Sequence, residues 1–156
     1  MGTPKSGFGL LEIVVGVTVI SVSFFGLMSV SQISLRLVEK GAQNIQAAFL
    51  IEEGIEAVKF LRDSGWNANI APLNLNTDYY FSFNNSMWLA TTSQIIIDGV
   101  YERYFTVEEV YRDANDDIVP SGTQDPDTLA ILVRVSWQER GRTHTVEIAS
   151  YLTNWK

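Results

Sequence analysis

The stretch FGLLEIVVGVTVISVSFFGLMSV, residues 8–30, sets the plan of this chain. It holds one charged side chain, Glu12, and no further charge occurs until Arg36. Its 23 residues are enough for a helix to cross the roughly 30 Å hydrocarbon core of a bilayer. Backbone N–H and C=O groups in lipid must be satisfied internally, so a Val- and Ser-rich run at this length predicts a transmembrane helix, not a strand. Serines 21, 23, 29 and 31 can bond back to the preceding turn. Lys5 and the amino terminus favour the cytoplasmic side, which places the remainder of the chain outside. Glu12 is the anomaly. An ionised group in a membrane span is costly and marks function. One helical turn away stand Phe8, Gly9, Val15 and Gly16, none of them basic, so its partner must come from the terminus or from another chain.

The run Gly7-Phe8-Gly9-Leu10-Leu11-Glu12-Ile13-Val14-Val15 resembles the type IV prepilin signature. In that family a membrane peptidase cuts after the glycine and methylates the new terminal amine. The resemblance implies that Gly7 ends the leader, that Phe8 becomes the methylated terminus, and that Glu12 is the family's assembly carboxylate. It further implies a prepilin peptidase, sister pilin or pseudopilin subunits and the lipid bilayer as partners, with no cofactor. The family's main filament subunits usually bend the helix with a proline where this chain has Ser29, and residues 5–71 contain no proline. The segment from Gly26-Leu27-Met28 to Gln32 is similar instead to V-type minor pilins and to I-type pseudopilins of type II secretion. The implied role is that of a minor structural subunit of a cell-surface fimbrium or secretion pseudopilus. Two other readings compete: an ordinary secretory signal cut near Ser21-Val22-Ser23 or Ser29-Val30-Ser31, and a single-span anchor carrying an extracytoplasmic binding or adhesive domain. A signal peptide poorly accommodates a carboxylate in its apolar core, and an anchor leaves Glu12 unexplained.

Past the span, Ile33, Leu37, Ile45, Phe49, Ile51, Ile55, Val58 and Leu61 recur mostly three or four apart. That period predicts an amphipathic helix continuing to about Arg62. Gly41 and Gly54 each weaken it by about 1 kcal/mol relative to alanine and are candidate bends. Asp63-Ser64-Gly65 supplies a stop, with Gly65 suited to a left-handed cap. The expected organisation is a leader at 1–7, a transmembrane helix at 8–30, an amphipathic helix at 31–63 and a β-rich extracytoplasmic head at 64–156.

In the head, strands are expected at Tyr79–Phe83, Met87–Thr91, Gln94–Ile97 and Tyr104–Arg112. A closing hairpin joins Leu129–Trp137 to Thr143–Thr153 across Arg140-Gly141. Ile131, Val133, Val135 and Trp137 should face one way, Arg134 and Ser136 the other, and Val146, Ile148 and Leu152 should share a face. The fold class is α+β, a long N-terminal helix packed on a C-terminal antiparallel sheet.

Composition narrows the chemistry. The 156 residues carry 11 basic and 18 acidic groups, a formal charge of −7, one histidine and no cysteine. Disulfides, thiolate catalysis and cysteine metal sites are excluded, and the acidity argues against nucleic-acid binding. His144 starts a strand on the parity of Val146 and Ile148, the place of a structural histidine. Asp113-Ala114-Asn115-Asp116-Asp117 resembles the opening of a calcium loop, but Ile118 stands where glycine is required and Gln124 where glutamate is. A looser calcium site could draw on Asp113, Asn115, Asp117, Asp125 and Asp127; the plainer reading is a polar connection with turns at Pro120 and Pro126. Trp66, Trp88, Trp137 and Trp155 read as core. No catalytic constellation emerges, and the expectation is a non-enzymatic protein.

Overall fold

The computed structural model describes residues 9–154. A long apolar N-terminal helix leads into a C-terminal antiparallel β-sheet, the α+β arrangement expected. Helix α1 runs over Leu10–Asp63, 54 residues, and a single turn, α2, follows at Trp66–Asn69. The strands are β1 (Tyr79–Asn84), β2 (Met87–Thr91), β3 (Ile96–Ile97), β4 (Tyr101–Arg112), β5 (Ile118–Val119), β6 (Thr123–Glu139) and β7 (Arg142–Thr153). The chain divides into two units, Met1–Asn44 and Ile45–Lys156. The head thus takes in the last turns of α1 and begins near residue 45, not 64.

In the first unit the apolar side chains of α1 are exposed, and its most apolar 18-residue window has mean hydropathy 2.3 with no part buried. By length and composition this helix can cross a membrane.

In the second unit α1 buries Ala47, Leu50, Ile51, Gly54, Ala57, Val58 and Leu61. Of the residues the sequence spacing picks out here, Ile51, Val58 and Leu61 are buried and Ile55 packs partly buried against the core. Ile45 and Phe49 are 60% and 62% exposed, and Ile33 and Leu37 in the first unit are exposed as well. The buried face combines small residues, Ala47, Gly54 and Ala57, with the larger Leu50, Ile51, Val58 and Leu61, while Ile45, Phe49 and Phe60 stay exposed. At Gly54 an added Cβ would stand 2.8 Å from Val133 Cγ1 and 3.3 Å from Arg103 Cδ. Gly54 is thus a close-approach position inside an unbroken helix, not a bend. Gly65 also departs from expectation: its φ of 142° and ψ of 106° lie outside the left-handed helical well, though still where glycine is favoured. The last turn closes through Ser64 N–H to Phe60 O (2.9 Å) and Gly65 N–H to Arg62 O (3.1 Å). Asn69 Nδ2 donates to Leu61 O at 3.1 Å, satisfying a carbonyl the helix end leaves open.

The sheet order is β2-β1-β4-β6-β7, every pairing antiparallel, with β3 and β5 as short additions to β4. Both two-residue hairpins have positive φ at their central residues, Asn85 and Ser86 (49° and 62°) and Arg140 and Gly141 (51° and 76°). That handedness matches the twist of the flanking strands. Ile131, Val133, Val135 and Trp137 enter the core as the alternation requires, while Ser136 is buried on the other side instead of facing solvent. On edge strand β7, Leu152 is buried and Val146 packs against the core, whereas Ile148 of the same parity is 44% exposed. Strand β6 begins six residues earlier than Leu129. The ladder slips between Glu109, opposite Leu129, and Val110, opposite Asp125, so Pro126, Asp127 and Thr128 form a bulge. A bulge is where a strand tolerates proline, so Pro126 lies inside β6 and not in a connecting turn.

Candidate functional site

Glu12 sits in the first turn of α1, its N–H bonded to Gly9 O at 3.0 Å. The exposed N–H groups of a helix start favour a carboxylate there. Farther along the helix the hydroxyls bond to their own backbone: Thr18, Ser21, Ser23 and Ser29 donate to the carbonyls of Val14, Val17, Val19 and Phe25 at 2.7–2.9 Å. Such back-bonding makes a hydroxyl compatible with hydrocarbon. Glu12 is exposed and its carboxylate has no partner among the described residues. Gly7 and Phe8, the expected cleavage and methylation positions, lie outside the described residues, as does Trp155.

The five residues of the looser calcium reading are not gathered into a ligand set. Asp113 Oδ1 accepts from the N–H groups of Asn115 (2.8 Å) and Asp117 (3.1 Å), closing its own turn. Asp125 Oδ2 is held by Arg112 Nε at 2.7 Å, and its Oδ1 accepts from Asp127 N–H at 3.0 Å. Asp127 binds Asn154 through both its carbonyl and its Oδ1. Asp113, Asp116, Asp125 and Asp127 share a cleft of about 540 Å³ with Arg112, whose guanidinium occupies the centre of this arrangement. Among the described residues no three acidic or histidine groups converge to hold a metal. The loop is a β-connection tied by Asx turns and one arginine.

The hydrogen bond from Arg112 holds the Asp125 carboxyl below its usual range, helped by Thr128. A carboxylate whose folded pKa is depressed stabilises the fold above the unfolded pKa of about 3.9, and that contribution is lost as pH falls through the lower folded value. Carbon-13 titration of the Asp125 carboxyl should therefore give a midpoint below about 3.9, rising toward it in Arg112→Met. An unchanged midpoint in the variant would show that Arg112 is not the cause.

Arg103 is a residue that sequence reasoning does not single out. It lies on the core side of β4 between Tyr101 and Phe105, with its side chain buried beneath α1. Its Nη1 donates to Leu50 O at 3.0 Å and to Glu53 Oε2 at 2.6 Å, and its guanidinium carbon lies 5.1 Å and 5.4 Å from the Phe81 and Trp88 ring centres. Its Nε has no partner among the described residues. A cation so enclosed fixes the helix to the sheet at Gly54. His144 fills the structural role expected of it, stacked on Trp137 at 5.6 Å and paired with Glu139 at 3.1 Å. Trp137 is buried, and Trp66 and Trp88 pack partly buried against the core.

Comparison with protein-family models, with curated proteins and with solved structures finds no match.

Proposed function

We propose that this chain is a prepilin-like structural subunit without enzymatic activity. It is cut after Gly7 and N-methylated at Phe8 by a prepilin peptidase, then built into a type IV pilus or pseudopilus as a minor component. Its head faces away from the cytoplasm, and the sister subunits of the filament are its partners. The observation that carries this reading is Glu12: a carboxylate without a partner among the described residues, in the first turn of an apolar helix whose hydroxyls bond back to their own backbone. Cleavage would create a cationic amine at Phe8. A sister subunit displaced along the filament axis would bring its amine to Glu12, and the pair would fix axial register. A buried ion pair stabilises little beyond an apolar contact, but one charge left alone is expensive, so the pair specifies how subunits align.

Mass spectrometry of the N-terminus of the chain recovered from its own cells tests the proposal. A methylated Phe8 is the expected result. A start near Phe24 or Gln32 would identify a secretory signal, and an uncut Met1 region would leave a membrane-anchored head; either overturns it.

A further inference from the structure

The head presents unpaired groups of opposite sign at opposite ends of one sheet. On the β4–β6 ladder Tyr101 faces Trp137 at one end and Arg112 faces Thr123 at the other. At about 3.4 Å per residue these ends are on the order of 35 Å apart.

At the first end the β6–β7 hairpin exposes Arg140 and Arg142 on either side of Gly141. Neither arginine has an ion-pair partner among the described residues. The acids at this end are Glu139, held by His144, Glu102, which accepts from Tyr80 and Gln94, and Asp98 on the β3–β4 turn.

Toward the other end a cleft of about 580 Å³ opens where Glu108, Ala130 and Tyr151 meet across three strands. Its apolar rim is exposed: Leu75 by 40%, Ile118 by 42% and Tyr151 by 55%. Among the described residues no basic side chain lines it. The Glu109 carboxylate is occupied by the Tyr111 hydroxyl and by Gln124 Nε2. The Glu108 carboxylate is exposed and has no partner among the described residues. An unpaired carboxylate with tyrosine rings and aliphatic side chains around it suits a guanidinium, which is planar, weakly hydrated, able to stack on an aromatic face and able to bind a carboxylate through two N–H groups.

We propose that this cleft receives the Arg140–Arg142 hairpin of a second copy of the chain. Because cleft and hairpin lie at opposite ends of the sheet, the contact is head-to-tail. Each pairing leaves one free cleft and one free hairpin, so the contact is heterologous, and a single pair of copies is enough to make it. The inference rests on the assembly reading above in that it needs copies standing side by side in one membrane, and it gives the head a contact separate from that of Glu12.

The absence of cysteine allows a clean test in the full-length chain. Thr143→Cys beside the hairpin and Pro120→Cys on the cleft wall are co-produced, and the membranes are treated with a short bis-maleimide. The expected product is a two-chain adduct holding one of each variant. Its yield should fall about tenfold when the Thr143→Cys chain also carries Arg140→Asp and Arg142→Glu, and recover when the Pro120→Cys chain carries Glu108→Arg. Aspartate is chosen at 140 because it tolerates the positive φ there. No mixed adduct, or an adduct indifferent to these charges, overturns the contact, whether the cleft is then empty or filled by another protein. The N-terminus is weighed in the same sample. An uncut leader with a charge-dependent adduct defeats the pilin-like reading and leaves the contact standing, whereas a mature Phe8 terminus in filaments without the adduct defeats the contact alone.

Discussion

Glu12→Ala is expected to be cut after Gly7 at the normal rate and then to enter filaments on the order of a hundredfold less often. Cleavage acts on the junction before Phe8, while Glu12 is needed only when a sister subunit arrives. The variant removes one half of the proposed pair and leaves a cationic amine against hydrocarbon with no counter-charge, which is the expensive way to break a buried ion pair. Glu12→Gln keeps the shape and the hydrogen-bonding capacity but not the charge. If charge pairing sets the register, the Glu12→Gln chain fails just as the Glu12→Ala chain does. The amount of subunit in sheared filaments, set against the processed subunit remaining in the membrane, reads both steps at once. Native-level incorporation of Glu12→Ala would remove the basis of the register argument.

The second large effect concerns how the head holds α1. Gly54→Leu should lower the melting temperature of the head by more than about 10 °C, corresponding to roughly 3 kcal/mol in a domain of this size. Even a single Cβ at this position would stand 2.8 Å from Val133 Cγ1, and Val133 is fully buried and has no room to yield. Moving the helix outward would also break the bonds from Arg103 to Leu50 O and Glu53, leaving its guanidinium with the Phe81 and Trp88 rings but without those hydrogen bonds or a counter-charge. Gly41→Leu is the internal control: a Cβ there meets nothing within 4 Å, so the change should act only through helix propensity, in the stabilising direction. Circular dichroism of the full chain in detergent, followed in the β-sheet region, distinguishes the two. Equal melting temperatures for the Gly54 and Gly41 variants would show that α1 is not seated where the packing indicates.

The parts legible in the sequence were those governed by local period. The apolar run with Glu12 at its start required no tertiary information, because its length and hydropathy alone make a helix able to cross a membrane. The last hairpin was equally open to reading: Ile131, Val133, Val135 and Trp137 alternate strictly, and Arg140-Gly141 supplies the turn. Arg103 escaped for a definite reason. A strand read as starting at Tyr104 omits the inward parity of Tyr101, Arg103 and Phe105, and with it the buried arginine. Parity extended back by three residues would have exposed it as a charge on the core side. For the acidic loop the sequence left a looser calcium site beside the plainer reading of a polar connection, and the structure has Arg112 and the loop's own N–H groups using the carboxylates of Asp113 and Asp125.

The sequence by itself determined the two regimes of the chain, an apolar helix able to lie in a membrane and an antiparallel head carrying the acidic charge. Those follow from hydropathy and from periods of 3.6 and 2, each a property of neighbouring residues. Only the tertiary structure decided how closely α1 meets the sheet, since Gly54 lies where any added Cβ would crowd Val133 and Arg103, and it left Ile45 and Phe49 of the apolar pattern exposed. Tertiary structure also brought Arg103 to Glu53, fifty residues apart, and set a basic hairpin and an acidic cleft at opposite ends of one sheet. Such juxtapositions depend on strand order and register, which no local period encodes.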